Sequence, residues 1–126
     1  MGRSDEKVLE IALPCGRYSL RLADVTGVAP PRALRSVPGA PESVLGLADW
    51  RGGLLTVLDL GRLIDERPAG AQPWLIRLAP PFENVALATG ALPTIADGGG
   101  NAVRLDPASL VERAGSRKAA DRPHGS

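Results

Sequence analysis

The sequence has very few of the residues on which catalytic and metal sites most often depend. Its 126 residues include one histidine, His124, and one cysteine, Cys15. His124 lies in a terminal segment that we expect to be flexible, so the core holds no imidazole base for Ser-His or Cys-His catalysis. No Cys/His cluster has metal-ligand spacing, and a lone cysteine excludes an internal disulfide. We therefore expect a non-enzymatic protein with no catalytic residue, no metal site and no cofactor.

The net charge and the lengths of the apolar segments argue against nucleic acid and membranes as partners. Fifteen Lys and Arg stand against 14 Asp and Glu, and a formal net charge of +1 creates no field that attracts nucleic acid. No positively charged start precedes a long apolar stretch, so we expect neither a signal peptide nor membrane insertion, and a cytoplasmic location. Aromatic residues make up only 3% of the chain. The core must therefore consist of aliphatic side chains.

Short apolar runs separated by Pro and Gly predict a mainly β protein. Residues 8–13 are apolar apart from Glu10, and residues 18–22 alternate with period two, which is typical of a β-hairpin. Residues 29–41 carry four prolines and predict an extended surface loop. Two further apolar runs, 44–47 and 54–58, flank a glycine-containing turn, and the paired glycines are expected to supply its positive φ.

A weak internal repeat predicts two short helices. Leu58-Asp59 with Leu63-Ile64-Asp65 recurs as Leu105-Asp106 with Leu110-Val111-Glu112. Each leading aspartate has the position of a helix N-cap, and this role explains it without a catalytic carboxylate pair. The repeat divides one domain, 8–113, into a first lobe of about 8–67 and a second lobe of about 73–113. Residues 1–7 and 114–126 are expected to be flexible tails.

The turn at residues 48–53 is the strongest candidate for a partner contact. Trp50 and Arg51 stand between Asp49 and the glycines Gly52 and Gly53. Trp and Arg are the residues most enriched at interface hot spots. A structural interpretation has equal weight from these residues alone: Trp50 could cover the end of an aromatic-poor core while Arg51 pairs with a carboxylate, Asp49 or Asp59.

The order of these features resembles the CheW family of chemotaxis coupling proteins. Residues 43–60, Ser-Val-Leu-Gly-Leu-Ala-Asp-Trp-Arg-Gly-Gly-Leu-Leu-Thr-Val-Leu-Asp-Leu, are similar to the family's central motif, and the flanking strands follow its order. The resemblance implies two intertwined small SH3-like β-barrel lobes with short capping helices. It also implies an adaptor that links chemoreceptor cytoplasmic tips to the regulatory domain of a CheA-type histidine kinase. By the same resemblance Val25, Gly46, Arg51 and Gly52 lie in or near the partner-binding surface.

Departures from the family pattern suggest an altered partner set. Asp49 and Trp50 stand where the family usually has Asn and Leu, and we include both in the predicted site. Gly27 replaces a Glu that can pair with the motif arginine, so Arg51 is expected to be freer or to use Asp49. The segment after Ile95 is shortened by about one strand, which implies a reduced second lobe. The alternative function is therefore a decoy or self-associating β-module, which modulates such arrays without full coupling activity and pairs through a strand edge of that lobe.

Overall fold

The computed structural model describes residues 6–14, 16–31, 33–51, 53–64, 73–98 and 100–121. These residues form nine strands and two α-helices, and a single 3-10 turn, Leu22–Asp24, follows the second strand. In chain order the elements are β1 (Lys7–Leu13), β2 (Gly16–Arg21), β3 (Val25–Ala29), β4 (Val44–Trp50), β5 (Gly53–Asp59), α1 (Leu60–Ile64), β6 (Trp74–Leu78), β7 (Val85–Thr89), β8 (Thr94–Asp97), β9 (Val103–Arg104) and α2 (Pro107–Asp121). The prediction of a mainly β fold is confirmed.

Two sheets share the strands of both halves of the chain. The first sheet has the order β8-β1-β2-β9 and the second has the order β3-β6-β7-β5-β4. Each sheet thus combines early and late strands, which is the intertwining that the resemblance implied. Within the described residues neither sheet closes into a ring of hydrogen-bonded strands.

The five-stranded sheet buries apolar side chains on both of its faces. One face packs against the other sheet and both helices, in what we call the main core, with Ile11, Leu20 and Ile76 among its fully buried members. The opposite face carries a second set, the inner cluster: Ala29, Ala48, Leu55, Val57, Leu75, Ala86 and Ala88. Four of these seven are alanines, and small side chains allow the sheet to curl tightly around them.

Both predicted N-caps are present, but they differ in burial. Asp59 is fully buried, and its Oδ1 accepts the backbone N–H of Arg62 at 3.3 Å. Asp106 is exposed; its carboxylate accepts the Ser109 hydroxyl at 2.9 Å, and its carbonyl accepts the N–H of Leu110 at 3.0 Å. The first cap therefore satisfies a backbone donor inside the protein, whereas the second acts at the surface.

We expect Asp59→Ala to lower the free energy of unfolding by about 1–2 kcal/mol, because it leaves the Arg62 N–H without its carboxylate partner. Asp106→Ala is the matched control at the exposed cap, and its loss should be smaller. Chemical denaturation of both variants measures the difference. Equal losses would contradict the importance of burial at the first cap.

The ordered domain is longer at both ends than the sequence predicted. Helix α2 passes the predicted boundary at Arg113, and Ala114 is buried in the main core because it lies one turn after Leu110 on the same helix face. The Arg113 guanidinium also donates to the Leu63 carbonyl at 2.6 Å. The predicted tails are therefore wrong at Lys7, a β1 residue, and at Ala114. Residues 1–5 and 122–126, including His124, lie outside the described residues, as does Cys15.

An exposed ion pair joins two neighbouring strands of the first sheet, β1 and β8. Lys7 Nζ lies 2.7 Å from Asp97 Oδ1, across the β1–β8 ladder. This hydrogen bond and the lysine charge hold the pKa of the Asp97 carboxyl below its usual range. In the described part of the chain no helix is long and apolar enough to cross a membrane.

Candidate interaction site

The predicted contact turn is the tip of the β4–β5 hairpin. Trp50 pairs with Gly53, so the turn itself consists of Arg51 and Gly52, and Gly52 lies outside the described residues. Arg51 has φ 50°, which makes it the only described non-glycine residue with positive φ. The prediction that both glycines supply positive φ is wrong for Gly53, which begins β5 in a conformation open to any residue. A two-residue hairpin of the favoured type needs positive φ at its first turn position, and Arg51 occupies that position.

The Trp50 side chain closes a gap in the five-stranded sheet. It is half-buried and packs against the inner cluster, at the end of the edge strand β4. Its ring also lies against Gly27 on the opposite edge strand, β3, where a Cβ would be 3.1 Å from Trp50 Cζ2. Two edges that share no described hydrogen bond therefore meet through one aromatic ring. This packing supports the structural interpretation of Trp50, as a cover over the end of an aromatic-poor core.

Arg77 completes the contact around this ring. The Arg77 guanidinium carbon lies 5.9 Å from the centre of the Trp50 ring, within the range of a cation–π interaction. Its Nε donates to the Glu83 carbonyl at 2.9 Å, which holds the side chain in place. No local sequence pattern indicates Arg77, because only the β3–β6 ladder, in which Gly27 faces Arg77, brings it to the hairpin.

Asp49 points to the opposite face of β4 from Trp50, as successive strand residues do. Its carboxylate lies 3.4 Å from the Arg35 guanidinium, and both side chains are more than two-thirds exposed. The residue paired with Asp49 on β5 is Leu54, which is 50% exposed. The hairpin thus presents an apolar side chain beside its charged tip. The sequence could have indicated this exposed leucine, because Leu54 and Leu55 are adjacent in a strand and their side chains must point to opposite faces.

Arg51 is exposed and forms no ion pair within the described part of the chain. The two carboxylates that the sequence suggested for it are engaged elsewhere. Asp49 pairs with Arg35, and Asp59 is buried as the cap of α1. Among the described residues the guanidinium of Arg51 is therefore directed to solvent.

Gly46 and Val25 differ from the other predicted site residues in their placement. Gly46 is buried at a β4 irregularity, where a Cβ would overlap the Arg35 carbonyl oxygen. Val25 is half-buried against the main core, opposite Leu78. A bulge between Val25 and Gly27 turns them to opposite faces of the sheet. The structure therefore groups Asp49, Trp50 and Arg51 at one hairpin end and places Val25 on another face.

Comparison with known proteins identifies the family of the first seven strands. The model of the CheW-like domain family matches residues 7–89, from β1 to the end of β7. The scaffolding protein TtCheW from Thermoanaerobacter tengcongensis has a similar solved structure, with a TM-score of 0.64 and 21% sequence identity. That match covers 86% of this chain and 67% of the other, and at this identity it shows a shared fold. No curated protein matches the chain.

Proposed function

The chain belongs to the CheW-like domain family, a family of non-catalytic scaffolds in chemotaxis signalling, and we propose that it couples chemoreceptor tips to a CheA-type histidine kinase. In this role it acts in the cytoplasm, as a protein-protein adaptor without a cofactor. Partner binding uses the hairpin tip, with Arg51 as its charged anchor.

The observation that supports this proposal is that Arg51 is exposed and forms no ion pair among the described residues. A long cationic side chain stands at a hairpin tip, at positive φ, and no described carboxylate neutralises it. A positive φ at a bulky residue is unfavourable, so a glycine would fit this position at lower cost. An arginine at this point is explained by a contact outside the chain, where its planar group of donors can bind a carboxylate.

The surroundings of Arg51 favour a partner surface that combines an acidic side chain with an apolar one. Leu54 supplies exposed apolar area on one face of the hairpin, and the edge of the half-buried Trp50 ring supplies more on the other. Arg77, held over that ring, adds a second positive charge near the tip. Asp49 is expected to orient the site through Arg35, and Gly46 to permit its backbone path. Gly52 is a contact candidate from the family resemblance alone. Val25 is a separate contact candidate on β3.

The direct test is titration of the protein with a receptor cytoplasmic hairpin and with a kinase regulatory domain from the same genome. We expect Arg51→Glu to weaken binding at least about tenfold, because it reverses the charge at the centre of the contact. The matched control is Arg17→Glu, the same charge change at an exposed β2 position. No binding by the wild-type protein to either partner, or equal effects of both variants, would reject this assignment.

Arg51→Gly separates binding from folding at the same position. Glycine adopts positive φ without strain, so this variant should be at least as stable as the wild type while still losing affinity. Thermal unfolding and the same titration measure the two properties independently. A variant that binds normally would show that the guanidinium is not an anchor.

A second candidate function is a decoy or self-associating module, and one observation favours it. Strand β8, which lies beyond the family match, forms an outer edge of the first sheet.

A further inference from the structure

The described part of the chain has four sheet edges, formed by β8, β9, β3 and β4. Three of them carry features that prevent strand pairing. The β4 edge is covered by the Arg35 backbone, which exchanges hydrogen bonds of 2.9 and 2.8 Å with Leu47. The β3 edge has a bulge and the Trp50 ring beside it, and β9 has only two residues. Strand β8 contains no proline, lysine or bulge, and no described strand pairs with its outer side.

The backbone groups that β8 directs outward can be identified from its register. Gly98 N–H donates to the Glu6 carbonyl at 2.8 Å, so this pair is hydrogen-bonded across the ladder. Hydrogen-bonded and non-hydrogen-bonded pairs alternate in an antiparallel ladder. Ala96 and Thr94 therefore bond inward to β1, and the N–H and C=O groups of Ile95 and Asp97 point to the outer side.

The side chain of Ile95 leaves an apolar surface exposed at the same edge. Ile95 faces Leu9 across the ladder, so both side chains lie on the same face of the sheet. Leu9 is 4% exposed, whereas Ile95 is 66% exposed. Leu92, just before the strand, is 55% exposed. A further strand beside β8 would cover part of this apolar surface with its own side chains.

We propose that β8 pairs antiparallel with β8 of a second copy of this chain, about a two-fold axis at Ile95. In this register each Ile95 donates its N–H to the other Ile95 carbonyl, and the two exposed side chains face each other. Asp97 of one copy lies opposite Pro93 of the other, so no like charges meet. A two-fold interface must be self-complementary, and the outward groups of Ile95 fulfil that condition. The pairing uses no residue of the Arg51 hairpin and does not depend on the proposed adaptor function.

Sedimentation equilibrium tests the association in solution. Over about a hundredfold range of concentration, the weight-average mass of the wild-type protein should rise from 13.1 kDa toward twice that value. Ile95→Lys should raise the dissociation constant of the dimer by about tenfold or more, because a lysine on an edge strand opposes pairing. Val103→Lys is the control: it changes a side chain that is 58% exposed on β9, at the other edge of the sheet, and should leave the dimer unchanged.

Cysteine cross-linking tests the register, in a Cys15→Ser background that has no other thiol. The proposed pairing places Thr94 of one copy opposite Ala96 of the other, in a pair whose Cα atoms are close enough for a disulfide. A mixture of Thr94→Cys and Ala96→Cys chains should therefore form covalent dimers much faster than either variant alone.

A wild-type protein that stays monomeric, or that dimerises equally well after Ile95→Lys, overturns the proposal. Covalent dimers of one cysteine variant alone, at the rate of the mixture, overturn the antiparallel register. If β8 binds a strand of another protein instead, the purified chain is monomeric and the proposal fails. Titration of Ile95→Lys with the receptor and kinase domains separates this result from the adaptor function, since its affinity for them should equal that of the wild type.

Discussion

Gly46→Ala is expected to destabilise the protein by about 3 kcal/mol or more, a large part of the free energy of unfolding of a small domain. The added Cβ would overlap the carbonyl oxygen of Arg35 and approach its carbonyl carbon at 3.1 Å. Both atoms are backbone, so no rotation of a side chain relieves the contact. Gly46 also has φ 154°, which adds a conformational cost for alanine.

The loss of stability in Gly46→Ala is large because the close approach of the Arg35 backbone to Gly46 supports two other contacts. Arg35 lies over β4 through its two backbone hydrogen bonds with Leu47, and these bonds cover the outer edge of the strand. Displacing Arg35 would break them and also separate its guanidinium from Asp49 at the proposed binding hairpin. The variant is therefore expected to lose partner affinity together with stability.

Urea denaturation measures this effect, and Gly53→Ala provides the control in the same hairpin. A Cβ at Gly53 would lie 3.7 Å from the Trp50 carbonyl, which is an ordinary contact. Gly53→Ala should change the free energy of unfolding by less than about 1 kcal/mol. Similar small losses in both variants would show that the loop yields freely at Gly46.

Gly27→Val is the second substitution with a large expected effect, and its sign depends on Trp50. Valine normally stabilises a strand relative to glycine. Here the first added carbon lies 3.1 Å from Trp50 Cζ2, before the two methyl groups are counted. We expect the ring to be displaced, with a loss of about 2 kcal/mol from overpacking and from the broken contact with Arg77.

The Trp50→Leu background should reverse this outcome. Leucine is shorter than the indole ring and leaves space over β3, so Gly27→Val in that background should be neutral or stabilising. The four proteins form a double-mutant cycle, and we expect a coupling free energy of about 1–3 kcal/mol between two residues in contact. Thr94→Val, at an exposed position in the other sheet, serves as the control and should be additive with Trp50→Leu.

Tryptophan fluorescence adds a local measurement to the cycle. The chain has two tryptophans, so Trp74→Phe isolates the Trp50 signal. In that background Gly27→Val should shift the emission to longer wavelength as the ring moves into water. An additive cycle with unchanged emission would show that Gly27 and Trp50 are not coupled.

Two departures from the family pattern, Gly27 and Trp50, depend on each other in the structure. Gly27 and Trp50 each looked like a separate change to the partner surface. In the structure, the missing side chain at position 27 provides the space in which the ring joins β3 to β4. The same arrangement leaves Arg51 without an intramolecular ion pair among the described residues, so the charge at the hairpin tip is available to a partner.

Local sequence patterns were sufficient to predict the class of the fold, the main hairpins, the two helix caps and the segment that holds the candidate site. These features depend on period-two alternation, on glycine and proline, and on an aspartate before a helix, all of which act within a few residues. The extension of α2 beyond Arg113 could also have been predicted, since Ala114 follows Leu110 at helical spacing.

The contacts at the β4–β5 hairpin and the sheet edge at β8 that no described strand covers depend on the tertiary structure. The contacts of Trp50 with Gly27 and Arg77, and of Gly46 with Arg35, join strands or loops that are not adjacent in sequence. The order β3-β6-β7-β5-β4 creates them, and no local pattern specifies that order. The exposure of Ile95 has the same origin, because no described strand lies beside the outer edge of β8.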